Sequence, residues 1–214
     1  MKNGISTSMQ TGADALCLAS SGINFVFRYY SATTTIATKR LTVSEAQALT
    51  AAGIEIGAVY EDGPTSANYF TNGRGVRDGE RAFQYAQQIG QPAGSAIYFA
   101  VDYDAPASDL SAIISYFQGV QSGLNAVSGG SSPYAIGVYG SGLVCQAIKQ
   151  DNSLAKYSWL AESRGWRGTV GYTEWNAIQK LATLALCGLA GPTPETPAEY
   201  EECQALDDFG GFSV

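Results

Sequence analysis

Two aspartates set the chemical question. Asp102 and Asp104 end the stretch S-A-I-Y-F-A-V-D-Y-D, residues 95–104, in which five apolar residues run almost directly into acid. A run of that length is too short for a helix, and its aromatic and aliphatic content suits a strand buried on both faces, as in a parallel sheet. At i and i+2 on an extended backbone the two carboxylates share a face, roughly 6–7 Å apart. Like charges so placed repel, and one carboxyl then keeps its proton to higher pH, which is what a general acid needs. The same spacing also fits solvated or loop-capping aspartates, or half of a calcium site.

Other sources of acid and base are few. The chain has 214 residues and no histidine, which excludes Ser-His-Asp and Cys-His nucleophilic catalysis and His-ligated zinc. Cys17, Cys145, Cys187 and Cys203 are widely spaced without a C-x-x-C, so they form neither a zinc ribbon nor a thioredoxin-type motif. Cys17 and Cys145 fall in apolar helical patterns that suit buried thiols, whereas Cys187 and Cys203 flank a Pro-rich loop where an oxidising compartment would allow a bridge. No cofactor and no metal site is expected.

The formal charge of -7, without a dense Lys/Arg cluster, argues against nucleic acid or an anionic membrane as the main partner. With 45% hydrophobic and 14% charged residues the composition is that of an ordered globular chain, expected to be one domain over 1–214. The start, M-K-N-G-I-S-T, has no apolar signal region, and the apolar run over residues 181–190 is too short to cross a bilayer, so neither membrane insertion nor export by the usual route is expected.

The elements that must position the acids alternate along the chain. Strand-like runs fall at 4–6, 24–30, 54–60, 96–100, 134–139, 157–161, 175–179 and 201–206. Helical segments separate most of them, including one opened by the capping box Thr42-Val43-Ser44-Glu45 and one expected over 181–189. This order predicts an α/β fold of the TIM-like (β/α)8 type, irregular in its last two or three units, with a doubly wound sheet as the alternative. In such a barrel the site lies at the C-terminal ends of the strands, which here carry Ser6, Arg28, Tyr60, Glu61, Asp62, Asp102, Asp104, Tyr139, Glu162 and Gln179. Acids, aromatics and one arginine around a common mouth suit a glycan-cleaving cleft.

The ordered set N-G-I-S-T, F-V-F-R-Y-Y, K-R-L-T-V-S-E-A, Y-E-D, S-A-I-Y-F-A-V-D-Y-D, I-G-V-Y-G-S-G, W-L-A-E-S-R-G-W and D-D-F-G-G-F resembles a bacterial glycoside-hydrolase-like TIM-barrel family, long catalogued as a domain of unknown function. That family is distantly similar to the family-25, Chalaropsis-type lysozymes. The resemblance implies cleavage of peptidoglycan, or another glycan, by a muramidase-like carboxylate mechanism. Asp104 falls on the general-acid position of a D-x-E pattern and Asp102 on its first acid, with Glu61 as a further catalytic carboxylate. Ser6, Arg28, Tyr60, Asp62, Tyr139, Glu162, Gln179 and Glu202 are the implied substrate-binding residues. Ser6 stands where the family usually has Asp, so a degenerate barrel that binds wall glycan without cutting it is the alternative, and a cation site for non-glycan hydrolysis is a third. A wall substrate without a signal region implies synthesis in the cytoplasm and action in the periplasm or outside the cell after specialised export, as for an antibacterial effector with a secretion machinery or an immunity protein as partner.

Overall fold

In a computed structural model describing residues 1–214, eight strands close into a barrel in chain order. They are β1 (Lys2–Thr7), β2 (Phe25–Tyr30), β3 (Glu55–Tyr60), β4 (Ala96–Ala100), β5 (Ala135–Gly140), β6 (Tyr157–Leu160), β7 (Ala177–Lys180) and β8 (Tyr200–Ala205). Strands β1 to β7 run parallel, but β8 is antiparallel to both of its neighbours, β1 and β7. The result is a closed eight-stranded α/β barrel that departs from regular (β/α)8 alternation.

Helices follow only the first five strands: α1 (Ala15–Ser20), α2 (Val43–Ala51), α3 (Asn72–Ile89), α4 (Leu110–Ser128) and α5 (Gly142–Cys145), the last continuing into a π-helical turn over Gln146–Asp151. The helix expected over 181–189 is absent. That segment is a loop tied by a Leu186–Leu189 bridge and by a disulfide from Cys187 to Cys17 of α1, and its backbone turns to positive φ at Cys187 and Gly188, which a right-handed helix does not admit. The pairing corrects the reading of Cys17 as a buried thiol, while Cys145 is buried and free as expected; the Cys187–Cys203 bridge that the loop would allow does not form, because Cys203 points into the barrel as a buried thiol.

Local chemistry accounts for the helix ends. The Thr42 hydroxyl accepts from the Glu45 N–H at 3.2 Å and opens α2 as the capping box predicts. The reciprocal half is missing, because the Glu45 carboxylate turns inward to the Arg28 guanidinium at 2.8 Å. A charge-assisted pair outcompetes a bond to a backbone amide. Helices α3 and α4 approach closely enough that a Cβ on Gly75 would lie 2.0 Å from the Tyr116 carbonyl oxygen, and one on Gly119 2.2 Å from that of Asn72. Gly79 and Gly123 repeat the contact one turn on.

The barrel interior is filled by pairing large with small. Phe25, Phe27 and Tyr98 each sit opposite a glycine of the adjacent strand, respectively Gly4, Gly57 and Gly137, and a Cβ on any of the three would strike the facing ring at 2.5 Å or less. Phe27 stacks on Trp159 with centroids 3.9 Å apart, and Phe209, from the chain after β8, packs on Phe25 at 4.7 Å. The Tyr98 hydroxyl donates to the Phe209 carbonyl at 2.6 Å and fixes this plug. The aromatic floor closes one end of the barrel and leaves the other for polar side chains.

Candidate active site

Period-two alternation decides which residues reach the open end. On β2, Phe25 and Phe27 belong to the interior cluster while Val26 and Tyr30 belong to the layer outside it, which puts Tyr29 inside and Arg28 outside. The inward positions at the open end converge on a cavity of about 150 Å³ lined by Tyr29, Val59, Glu61, Asp102, Tyr139, Trp159, Gln179 and Glu201. Its size suits one reacting group at the foot of a wider mouth, being smaller than the roughly 300 Å³ at which sites for whole small ligands begin.

Three carboxylates share this space, and their surroundings differ. Burial, and then the charge of Glu61, raises the Asp102 carboxyl from 3.8 to about 6, against the opposing pull of Lys39. Burial likewise raises Glu201, with the charges of Glu162 and Asp102 adding to it and a hydrogen bond from Ser6 working the other way. Glu61 is ion-paired with Lys39 at 2.6 Å, and the same ammonium lies 4.6 Å from the centre of the Tyr29 ring. The rim therefore holds one compensated carboxylate beside an acid that keeps its proton near pH 6.

A hydrogen-bond relay crosses four strands to reach Glu201. The Tyr139 hydroxyl donates to Gln179 Oε1 at 3.0 Å, Gln179 Nε2 donates to Ser6 Oγ at 3.2 Å, and Ser6 Oγ donates to Glu201 Oε2 at 2.9 Å. The Glu162 N–H also reaches Gln179 Oε1, at 3.3 Å. With Ser6, Tyr139 and Gln179 so arranged, the Glu201 carboxylate is oriented by a donor that is itself oriented. Beneath it the Trp159 indole N–H is buried without a hydrogen-bond partner.

Several residues expected at the mouth lie elsewhere. Arg28 is fully buried between barrel and helices, bonded to Glu45 and to the carbonyls of Thr7 and Thr38. Tyr60 also faces outward, its hydroxyl donating to Asp62 at 2.8 Å. Asp62 has no exposed side-chain surface and accepts from Ser31 Oγ and from the N–H groups of Ala32 and Thr33. Burial alone would raise its carboxyl, but hydrogen bonds from Ser31, Thr33 and Tyr60 outweigh it and hold the group below its usual range. Arg28 and Asp62 thus pin the two ends of the loop that carries Lys39.

Asp104 is directed away from the cavity. Its carboxylate takes the Arg167 guanidinium and, at 2.8 Å, the Arg167 N–H, in a partly exposed pair on the rim. Glu202 is on the outer face of β8, exposed, one residue from the inward Glu201. A shift of one residue exchanges the faces of a strand. Tyr29, Lys39, Trp159 and Glu201 are the site residues that the sequence reading lacks; counting by twos from Phe25 gives Tyr29, and the reversed direction of β8 is what hides Glu201.

The matching family model covers residues 16–196 and is described as the Rv2525c-like, glycoside hydrolase-like domain. The chain belongs to this family. Among curated relatives of this Rv2525c-like chain, the uncharacterized protein FadG of Bacillus subtilis is 31% identical over 204 residues, which is 92% of the chain and 34% of FadG. Another uncharacterized B. subtilis protein, YbfG, is 38% identical over 125 residues, 56% of the chain and 17% of YbfG. The chain therefore spans about a third or less of these relatives.

Among solved structures, the Tat-secreted protein Rv2525c of Mycobacterium tuberculosis, crystallised with L-tartrate, superposes with a TM-score of 0.75 at 18% identity over 98% of both chains. A muramidase from Trichobolus zukalii gives 0.59 at 13% identity over 97% of this chain and 95% of its own. A family 25 glycosyl hydrolase from Bacillus anthracis gives 0.56 at 12% identity, over 97% and 90%. At such identities the likeness is one of fold.

Proposed function

We propose that the Rv2525c-like chain is a glycosidase of the muramidase type, acting on bacterial cell-wall peptidoglycan. The observation that carries the reading is the cavity at the open end of the barrel, where Asp102, with a carboxyl raised to about 6, meets Glu61 and Glu201. Asp102 donates its proton to the departing glycosidic oxygen, and the Glu61 carboxylate, balanced by Lys39, stabilises the positive charge that develops on the sugar. Glu201, oriented through Ser6, Gln179 and Tyr139, completes the set as the carboxylate able to accept a proton from water. The sequence pattern gives proton donation to Asp104, but its bonds to Arg167 leave Asp102 the better placed donor. A barrel shared with muramidases supports the substrate class.

Action outside the cytoplasm belongs to the same proposal, supported by the Cys17–Cys187 disulfide, a bond at home in oxidising compartments. Release of reducing ends from purified peptidoglycan tests the whole: Asp102→Asn is expected to lower the rate by about 10²-fold or more, and Asp104→Asn by less than about tenfold. No release by the wild type, or equal release by Asp102→Asn, refutes it.

Ser6 and the Asp104–Arg167 pair favour a second reading, a barrel that holds wall glycan without turnover. It predicts sedimentation of the protein with insoluble peptidoglycan while reducing ends stay at background.

A further inference from the structure

After β6 the chain makes irregular turns where a regular barrel would place a helix, and the uncovered β6–β7 flank forms a groove of about 670 Å³. Glu162 and Gln179, the two residues joined by the 3.3 Å hydrogen bond at the rim, line this groove, and Gln179 lines the cavity as well. The groove therefore adjoins the cavity, with Gln179 as the wall they share. Its volume is that of a site for a ligand of several hundred daltons, unlike the cavity itself.

Its wall combines two kinds of side chain. Val170 and Leu181 line it with 78% and 67% of their surfaces exposed, a degree of apolar exposure that a covering ligand would relieve. Arg164 and Lys180 line it as well, and neither is ion-paired with a carboxylate. Lys180 instead donates to the neutral Gln204 Oε1 at 2.6 Å. In a chain of net charge -7, seven of the twelve Lys and Arg side chains have acidic partners, and Arg164 and Lys180 join Arg40, Arg77 and Lys149 as the five without one; set against the single Glu162 carboxylate of the lining, the two cations leave the groove net positive and mark it for an anionic occupant.

We infer that this groove binds the carboxylate-bearing peptide substituent of a wall glycan whose sugar backbone occupies the cavity mouth. Arg164 and Lys180 take the carboxylates, and Val170 and Leu181 take the methyl groups of the peptide. The inference rests on the glycan reading of the cavity and adds a preference for peptide-substituted over naked chains.

Calorimetric titration with two probes tests it, N-acetylglucosaminyl-N-acetylmuramyl-L-alanyl-D-isoglutamine and N,N′-diacetylchitobiose. Wild type is expected to bind the peptide-bearing disaccharide at least about tenfold more tightly, as the loss of charge-assisted hydrogen bonds implies. Arg164→Gln/Lys180→Gln, a surface change checked by an unaltered Tm, should bind both probes alike with its affinity for diacetylchitobiose unchanged. Equal affinities in the wild type, or a preference that survives in the variant, overturn the inference and leave the glycan reading standing. Failure of both probes to bind removes both.

Discussion

Replacing Asp102 by Asn should stabilise the protein at neutral pH while removing the proposed proton donor. The carboxyl is half-buried above an aromatic floor, and its value of about 6 lies above the 3.8 of an exposed aspartate. A raised acid contributes stability fully below pH 3.8 and loses it as the pH climbs through 6, because the native fold holds the proton more tightly than the unfolded chain does. At pH 7.5 the ionised Asp102 therefore costs about 3 kcal/mol relative to a neutral side chain, and at pH 4 about 0.5 kcal/mol. For a chain of 214 residues this corresponds to a rise in Tm of roughly 6–12 °C at pH 7.5 and roughly 1–2 °C at pH 4. Scanning calorimetry of wild type and Asp102→Asn at the two pH values reads it directly. A variant that melts with the wild type at pH 7.5, or gains as much at pH 4, would show that the site does not strain this carboxylate, and the proton-donor role would lose its physical basis.

Four further outcomes follow from other parts of the molecule. Reducing-end release should fall as the pH rises through about 6, since Asp102 must be protonated to donate, and a rate that stays flat from about pH 5 to about pH 8 would argue against it. Glu45→Gln, which leaves the Arg28 guanidinium buried without a counter-charge, should cost about 3–5 kcal/mol by urea titration. Gly119→Ala on α4 should destabilise by roughly 1–3 kcal/mol through collision with the Asn72 carbonyl, although helix propensity alone predicts a gain of about 1 kcal/mol, so the sign of the change in denaturation midpoint decides between them. Cys17→Ser/Cys187→Ser opens a loop closed over 170 residues and should cost up to about 5 kcal/mol, and alkylation of the unreduced wild type should label two thiols, Cys145 and Cys203, only after denaturation.

Much of this architecture was legible in the residues themselves. Hydrophobic runs located all eight strands, and the capping box at Thr42 marked a helix start that the backbone confirms. What pattern could not supply was direction. A strand that returns antiparallel brings its first residues to the mouth, so a search at C-terminal ends passes over Glu201. Arg28 misled for a related reason, since a charged residue near a strand's end suggests the mouth, yet its parity with Val26 and Tyr30 sends it to the helix layer, where Glu45 of α2, the helix that follows its strand, receives it. The cross-link between Cys17 and Cys187, in the loop that stands where a helix was expected over 181–189, depends on a spatial neighbour that no local window contains.

The reversed last strand has a practical corollary for anyone handling the protein. Because β1 starts and β8 finishes at the plugged end, the amino group of Met1 lies 3.6 Å from Asp207, and the final residue bonds Thr50 near the close of α2. A reporter or affinity tag joined at either terminus would hang beneath the molecule like a keel, leaving the open end of the barrel unobstructed for binding and activity assays.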